Sequence, residues 1–107
     1  MGENEMKVAL VTGAASGIGA SLVRKLRSAN IEVLGVDLDS SGLESIRTET
    51  GCSIFTTDVS HNVNNIEVAN QLINHFGRLD YAFLNAGILG RKIEEQINPY
   101  TASDLDP

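Results

Sequence analysis

Four short apolar runs alternate along the chain with three longer segments whose apolar residues recur at helical spacing. This alternation restricts the architecture more than any other feature of the sequence. Lys7 to Thr12 is apolar and β-branched and ends in Gly13, the pattern of a strand covered on both faces. Ile31 to Val36 repeats it and stops at Asp37; Ser53 to Thr57 is a third run with polar ends; Leu79 to Leu84 is a fourth, leading into Asn85-Ala86-Gly87. Between them, Gly17 to Ala29 places Ile18, Leu22, Leu26 and Ala29 on an inward stripe, with Asn30 as the stop. Ser41-Gly42-Leu43-Glu44 has capping-box spacing and opens a helix that turns Leu43 and Ile46 inward until Gly51. A third helix, with Ser60 as the expected cap, carries Ile66, Ala69, Leu72, Ile73 and Phe76 on its inner face and closes at Gly77. The order β-α-β-α-β-α-β, with a helix in every crossover, predicts right-handed connections and a parallel sheet of the doubly wound α/β class.

From Ile88 the pattern dissolves into a polar connection through Arg91, Lys92, Glu94 and Glu95, and Thr101 to Asp104 has the residues of a new helix cap. The expected division is therefore a folded unit over residues 1–87 and a polar connection over 88–107 that stops where a further helix would begin. A stop at that point favours a truncated gene product over a finished module.

Composition narrows the function classes. The 107 residues carry 14 acids against 8 Lys plus Arg, a formal charge of -6, with the basic residues scattered. Such a surface offers no footprint for nucleic acid or for an anionic membrane, so any anion must be held by backbone groups. The apolar runs are far shorter than the ~20 residues a membrane helix needs, and the acidic N-terminus has no apolar export signal. Cys52 is the sole cysteine, so an internal disulfide is excluded, a zinc site has no second thiolate, and a reducing, cytoplasmic compartment is expected. His61 and His75 have no Ser, Cys or metal partner in register and read as parts of a solvated helix face.

The chemistry gathers in Thr12-Gly13-Ala14-Ala15-Ser16-Gly17-Ile18-Gly19. A loop from strand to helix needs a sharp turn at Gly13, ligand access to the backbone at Gly17 and close helix-strand packing at Gly19. The amides that open the helix can then face a pyrophosphate without a single Lys. Eighteen residues after Gly19, Asp37 ends the second strand, where a carboxylate can accept both hydrogens of an adenosine ribose diol. A P-loop is excluded, because no Gly-Lys-Ser/Thr follows Gly13 at the required spacing.

These motifs make the chain resemble the N-terminal part of a short-chain dehydrogenase/reductase. The family's T-G-x-x-x-G-I-G stands at Thr12 to Gly19, its acidic residue after the second strand at Asp37, its Asp-Val pair at Asp58-Val59 and its N-A-G at Asn85-Ala86-Gly87; Leu84 replaces the commoner Asn of that last motif. The resemblance runs over about residues 6 to 105. It implies a Rossmann-type sheet of order 3-2-1-4 over the four strands, cut off after the fourth, and a dinucleotide site formed by Gly13, Ser16, Gly17, Ile18, Gly19, Asp37, Asp58, Val59, Asn85, Ala86 and Gly87. It also implies hydride transfer between a nicotinamide ring and an alcohol or carbonyl carbon.

The family's catalytic Tyr and Lys, in Y-x-x-x-K, and its catalytic Ser lie beyond the fourth strand, and the tyrosines present do not match: Tyr81 is followed four residues on by Asn85, and Tyr100 by Asp104. No catalytic residue is therefore assigned, and the chain by itself is expected to be inactive. Asp37 would repel a 2′-phosphate, and neither Ser16 nor Leu38 supplies the positive charge that would attract one, so NAD is the expected cofactor rather than NADP. The fourth strand, internal in the family's sheet, would lie at an edge and invite self-association. The alternatives are a stand-alone nucleotide-binding or interaction module without catalysis and, further off, a nucleoside-cofactor methyltransferase fragment, for which an acid rather than Thr12 would precede the first Gly.

Overall fold

The computed structural model describes residues 6–84. Four strands, β1 (Val8–Thr12), β2 (Glu32–Asp37), β3 (Ser53–Thr56) and β4 (Tyr81–Leu84), alternate with α1 (Gly17–Ser28), α2 (Ser40–Thr50) and α3 (Asn62–His75). The strands form one sheet in the order β3-β2-β1-β4, every pair parallel. The class is the one the sequence pattern predicts and the strand order the one the resemblance implies, and the strand bounds move by one or two residues. The motif Asn85-Ala86-Gly87 and the polar connection lie outside the described residues.

Strand alternation divides the core into two layers. Ala9, Val11 and Val33 point to one face, where Val23 and Leu26 of α1, Leu43 and Ile46 of α2, and Cys52 close over them. Val8, Leu10, Leu34 and Val36 point to the other and meet Val59 with Val68 and Leu72 of α3. All of β1 is buried because it has a strand on each side and helices on each face. A strand in that position has no solvent face to give to polar residues, which is why its sequence is a continuous apolar run.

The phases of α1 and α3 and the N-caps of α2 and α3 differ from the sequence reading, while α2 turns Leu43 and Ile46 inward as expected. In α1 the residues turned inward are Gly19, Ala20, Val23 and Leu26, whereas Ile18 is 76% exposed and Ala29 is an exposed C-cap. The phase is set by Gly19, which must lie against the Gly13 carbonyl, and at 100° per residue that turns Ile18 outward. Asn30 does stop the helix. It adopts φ 62°, its N–H donates to the Arg27 carbonyl, and the Ile31 N–H donates to that of Leu26. Those two bonds are the Schellman closure.

The N-cap of α2 is Asp39, which accepts from the Gly42 N–H at 3.0 Å, and the expected capping-box partner Glu44 pairs with Arg47 instead. In α3 the buried residues are Val68 and Leu72, with Phe76 half-buried; Ile66 and Ile73 are 62% and 66% exposed, and Ala69 is exposed. Only a narrow side of α3 reaches the sheet, so a wide apolar stripe in the sequence exceeds what the described residues cover. His61 rather than Ser60 stands at its N-cap, without a side-chain bond. The Ser60 hydroxyl donates to Asp58.

Candidate functional site

Parallel strands joined by helical crossovers bring the β1-α1, β2-α2 and β3-α3 turns to one edge of the sheet, at the carboxyl ends of the strands. That edge is where an open α/β sheet has room for a ligand. The β1-α1 turn is closed by its own atoms. Gly13 has φ 66°, a left-handed value that a side chain would strain. Ser16 caps α1: its hydroxyl donates to the Gly13 carbonyl at 2.7 Å and accepts from the Gly19 N–H at 3.2 Å. A Cβ on Gly19 would overlap the Gly13 carbonyl, so helix and turn touch through backbone alone. Gly17 is the opposite case, since a Cβ there would meet nothing within 4 Å.

The loop amides divide into spent and available donors. The Ala14 N–H donates to the Val36 carbonyl, that of Ser16 to the Gly13 carbonyl and that of Ala15 to Asp37 Oδ2 at 2.9 Å. Gly17 and Ile18, at the first two positions of the helix, have no hydrogen-bond partner for their N–H groups among the described residues. A helix start with two unspent amides, a positive dipole end and no side chain at Gly17 suits a diphosphate. With the chain's net charge of -6, backbone is the available source of positive potential.

Asp37 stands beside this loop at the end of β2, its Oδ1 accepting from the Asp39 N–H at 3.0 Å. Asp58 is held by its own turn: Oδ1 accepts from the Ser60 N–H and hydroxyl, at 3.0 and 2.6 Å, and Oδ2 lies 3.5 Å from His61 Nε2. The Asn64 side-chain amide donates to the Asp58 carbonyl at 2.7 Å and ties the turn to α3. Val59 is buried in the layer under α3, so its side chain packs rather than faces a ligand. Of the eleven residues expected to form the site, Gly13, Ser16, Gly17, Ile18, Gly19, Asp37, Asp58 and Val59 are described, and Asn85, Ala86 and Gly87 are not.

Sequence reasoning missed Ala15 and Asp39. Ala15 acts through its main chain, which no side-chain pattern reveals. Asp39 carried a readable signal, an Asp three residues before Gly42 at a helix start, but the Ser41-x-x-Glu44 pattern competed with it. Asp39 is held below the usual carboxylate range, first by the Gly42 N–H and then by the Ser41 hydroxyl. His61 and His75 are exposed, the latter tilted against Phe76 at 5.7 Å, and no metal-binding group of His, Cys, Asp and Glu occurs among the described residues.

Comparison with known proteins agrees with this geometry. The family model described as short chain dehydrogenase matches residues 7–105. Tropinone reductase-like 1 of Erythroxylum coca is 34% identical over 106 residues, covering 95% of this chain and 39% of its own. Among solved structures, a metagenomic short-chain oxidoreductase in complex with NADP superposes with a TM-score of 0.73 at 32% identity, over 77% of this chain and 39% of that one. The 3-ketoacyl-(acyl-carrier-protein) reductase of Brucella melitensis complexed with NADH does so with a TM-score of 0.74 at 31% identity, over 78% of this chain and 35% of that one. The chain spans less than half the length of the curated relatives it matches. With the family model aligned over nearly every residue and the sheet order and glycine-rich turn in place, the chain belongs to the short-chain dehydrogenase family.

Proposed function

We propose that this chain is the NAD(H)-binding part of a short-chain dehydrogenase/reductase, an oxidoreductase acting on an alcohol or carbonyl substrate. The observation that carries the reading is the pairing of two unspent amides, on Gly17 and Ile18, with the Asp37 carboxylate across the same turn. In this reading the diphosphate sits on the helix start, Gly13 and Gly19 shape the turn, Ser16 caps it, and Asp37 accepts from the ribose diol. Asp58 and Val59 after β3, and the Asn85-Ala86-Gly87 motif, are assigned to the same cofactor by the family motifs they match. When bound, the nicotinamide supplies the hydride acceptor or donor. The residues of this chain bind and orient it, and the acid/base groups of the reaction are assigned to none of them.

NAD rather than NADP follows from charge. A 2′-phosphate would stand against the Asp37 carboxylate, and the adjacent side chains, Ser16 and Leu38, carry no positive group to offset it. The two solved relatives hold different dinucleotides, one NADP and one NADH. Calorimetric titration of the purified chain is the test: NAD(H) binds at least tenfold more tightly than NADP(H), and Asp37→Ser narrows the gap. Equal or tighter NADP(H) binding by the unaltered chain refutes the assignment. The same sample, offered alcohols or ketones with NAD(H), shows no turnover above background, because neither tyrosine has a lysine four residues on.

A further inference from the structure

We propose that Asp37 is a positioning residue for the glycine-rich turn, a latch that seats the diphosphate-binding amides as well as reading the ribose. The proposal rests on the dinucleotide reading above and extends it. Both carboxylate oxygens already hold backbone: Oδ2 accepts from the Ala15 N–H at 2.9 Å across a separation of 22 residues, and Oδ1 accepts from the Asp39 N–H at 3.0 Å. One side chain thus ties the β1-α1 turn to the β2-α2 turn. A second contact closes the same joint. A Cβ on Gly42 would stand 2.7 Å from the Ala15 methyl and 2.7 Å from Asp39 Oδ2, so Ala15 rests where the absent side chain leaves room. Asp39 in turn caps α2 through the Gly42 N–H.

The consequence concerns Gly17 and Ile18, two and three residues beyond Ala15. Their amides are useful to an anion only if the turn stays in place, and the bond from the Ala15 N–H to a carboxylate is of the charge-assisted kind, stronger than a neutral one. Removing the carboxylate therefore loosens the turn even toward a ligand that never touches the ribose-binding oxygens. A change at Asp37 made to admit NADP then costs affinity at the diphosphate too, unless the Ala15 N–H is given another acceptor.

The experiment separates the two duties of Asp37 with a ligand lacking the diol. ADP and 2′,3′-dideoxy-ADP are titrated into the 107-residue chain, into Asp37→Ala and into Gly42→Ala, and amide hydrogen exchange is followed at Ala15 in the ligand-free protein. The latch predicts that Asp37→Ala weakens dideoxy-ADP about tenfold, an effect of the size of one lost hydrogen bond to a charged group, and weakens ADP further. It also predicts a protected Ala15 amide that becomes exchangeable in Asp37→Ala, with Gly42→Ala shifted in the same direction. Unchanged dideoxy-ADP binding alongside weakened ADP overturns the latch and leaves the ribose role standing. An Ala15 amide that exchanges freely in the unaltered chain also overturns it, whether or not the variants fold. Failure of the unaltered chain to bind either nucleotide refutes the functional reading itself, and exchange at Ala15 still decides the latch.

Discussion

At the residue scale, Gly19 is the position where backbone geometry and ligand chemistry meet. Its Cα packs against the Gly13 carbonyl, and the same contact sets the rotational phase of α1, sending Val23 and Leu26 into the core and Ile18 outward. A methyl at Gly19 meets main-chain atoms that cannot rotate away, so Gly19→Ala must push the helix from the turn. We expect a loss of about 1–3 kcal/mol, the range for overpacking a closed site. Dinucleotide binding should fall to below detection, because the amides of Gly17 and Ile18 move with the helix. Urea unfolding and calorimetry on the same sample check both parts, and an unchanged midpoint with full binding contradicts the contact. Gly17→Ala is the control: a Cβ there meets open space, so its effect falls on the ligand and leaves stability nearly unaltered.

At the element scale, the joint between β1 and β4 is held from outside the sheet ladder. The Val8 N–H donates to Asp80 Oδ2 at 2.7 Å, the Asp80 N–H donates to the Val8 carbonyl at 2.8 Å, and Arg78 grips the carboxylate from Nε and Nη2 at 2.9 and 2.8 Å. The Arg78 guanidinium foremost, and then the Val8 amide, hold the Asp80 carboxyl below the ordinary range. A carboxylate with a folded-state pKa below its unfolded value adds stability that is complete above the unfolded pKa, about 4 for Asp. That stability is lost as the pH falls through the lowered folded value. Asp80→Asn should therefore destabilise the chain at neutral pH and flatten the acid limb of its stability curve, while the two proteins converge in strong acid. Denaturant midpoints measured from neutral to strongly acidic pH test this, and parallel curves would assign the acid limb to other carboxylates.

At the scale of the whole molecule, the described residues leave apolar surface around β4. The strand is a sheet edge among them, Tyr81 is 40% exposed, and a cleft of about 200 Å³ opens beside it between Leu10, Val68, Leu72, Leu79 and Leu84. An unpaired edge with aromatic residues and no Lys or Pro is a template for another strand. We propose that the isolated chain self-associates through residues 79–84. Sedimentation at tens of micromolar should show concentration-dependent dimers or larger species, reduced by Tyr81→Lys; a monodisperse monomer contradicts the proposal. Tyr81 is the position to charge rather than Phe83, because Phe83 packs against the core layer under α1 and α2. No helix among the described residues is long and apolar enough to cross a membrane.

The order of the strands came only with the family resemblance, but parallel pairing and the place of the glycine-rich turn were legible in the residues themselves. These two depend on local quantities: continuous apolar runs at β1 and β2, helix-length crossovers, and glycines where a turn or a contact forbids a side chain. The facing of α2 was legible in Leu43 and Ile46, but that of α1 and α3 only in part, because Ile18, Ile66 and Ile73 satisfy an amphipathic pattern as well as Val23, Val68 and Leu72 do. Hydropathy periodicity defines a stripe but not its angle to a sheet; for α1 that angle is set by the approach of Gly19 to Gly13, and for α3 by how little of the helix reaches the strands. The latch from Asp37 to Ala15 lay equally beyond the sequence. It joins a carboxylate to a main-chain amide 22 residues away, and only parallel pairing of β1 with β2, Val11 beside Gly35 and Thr12 beside Val36, brings the two ends together.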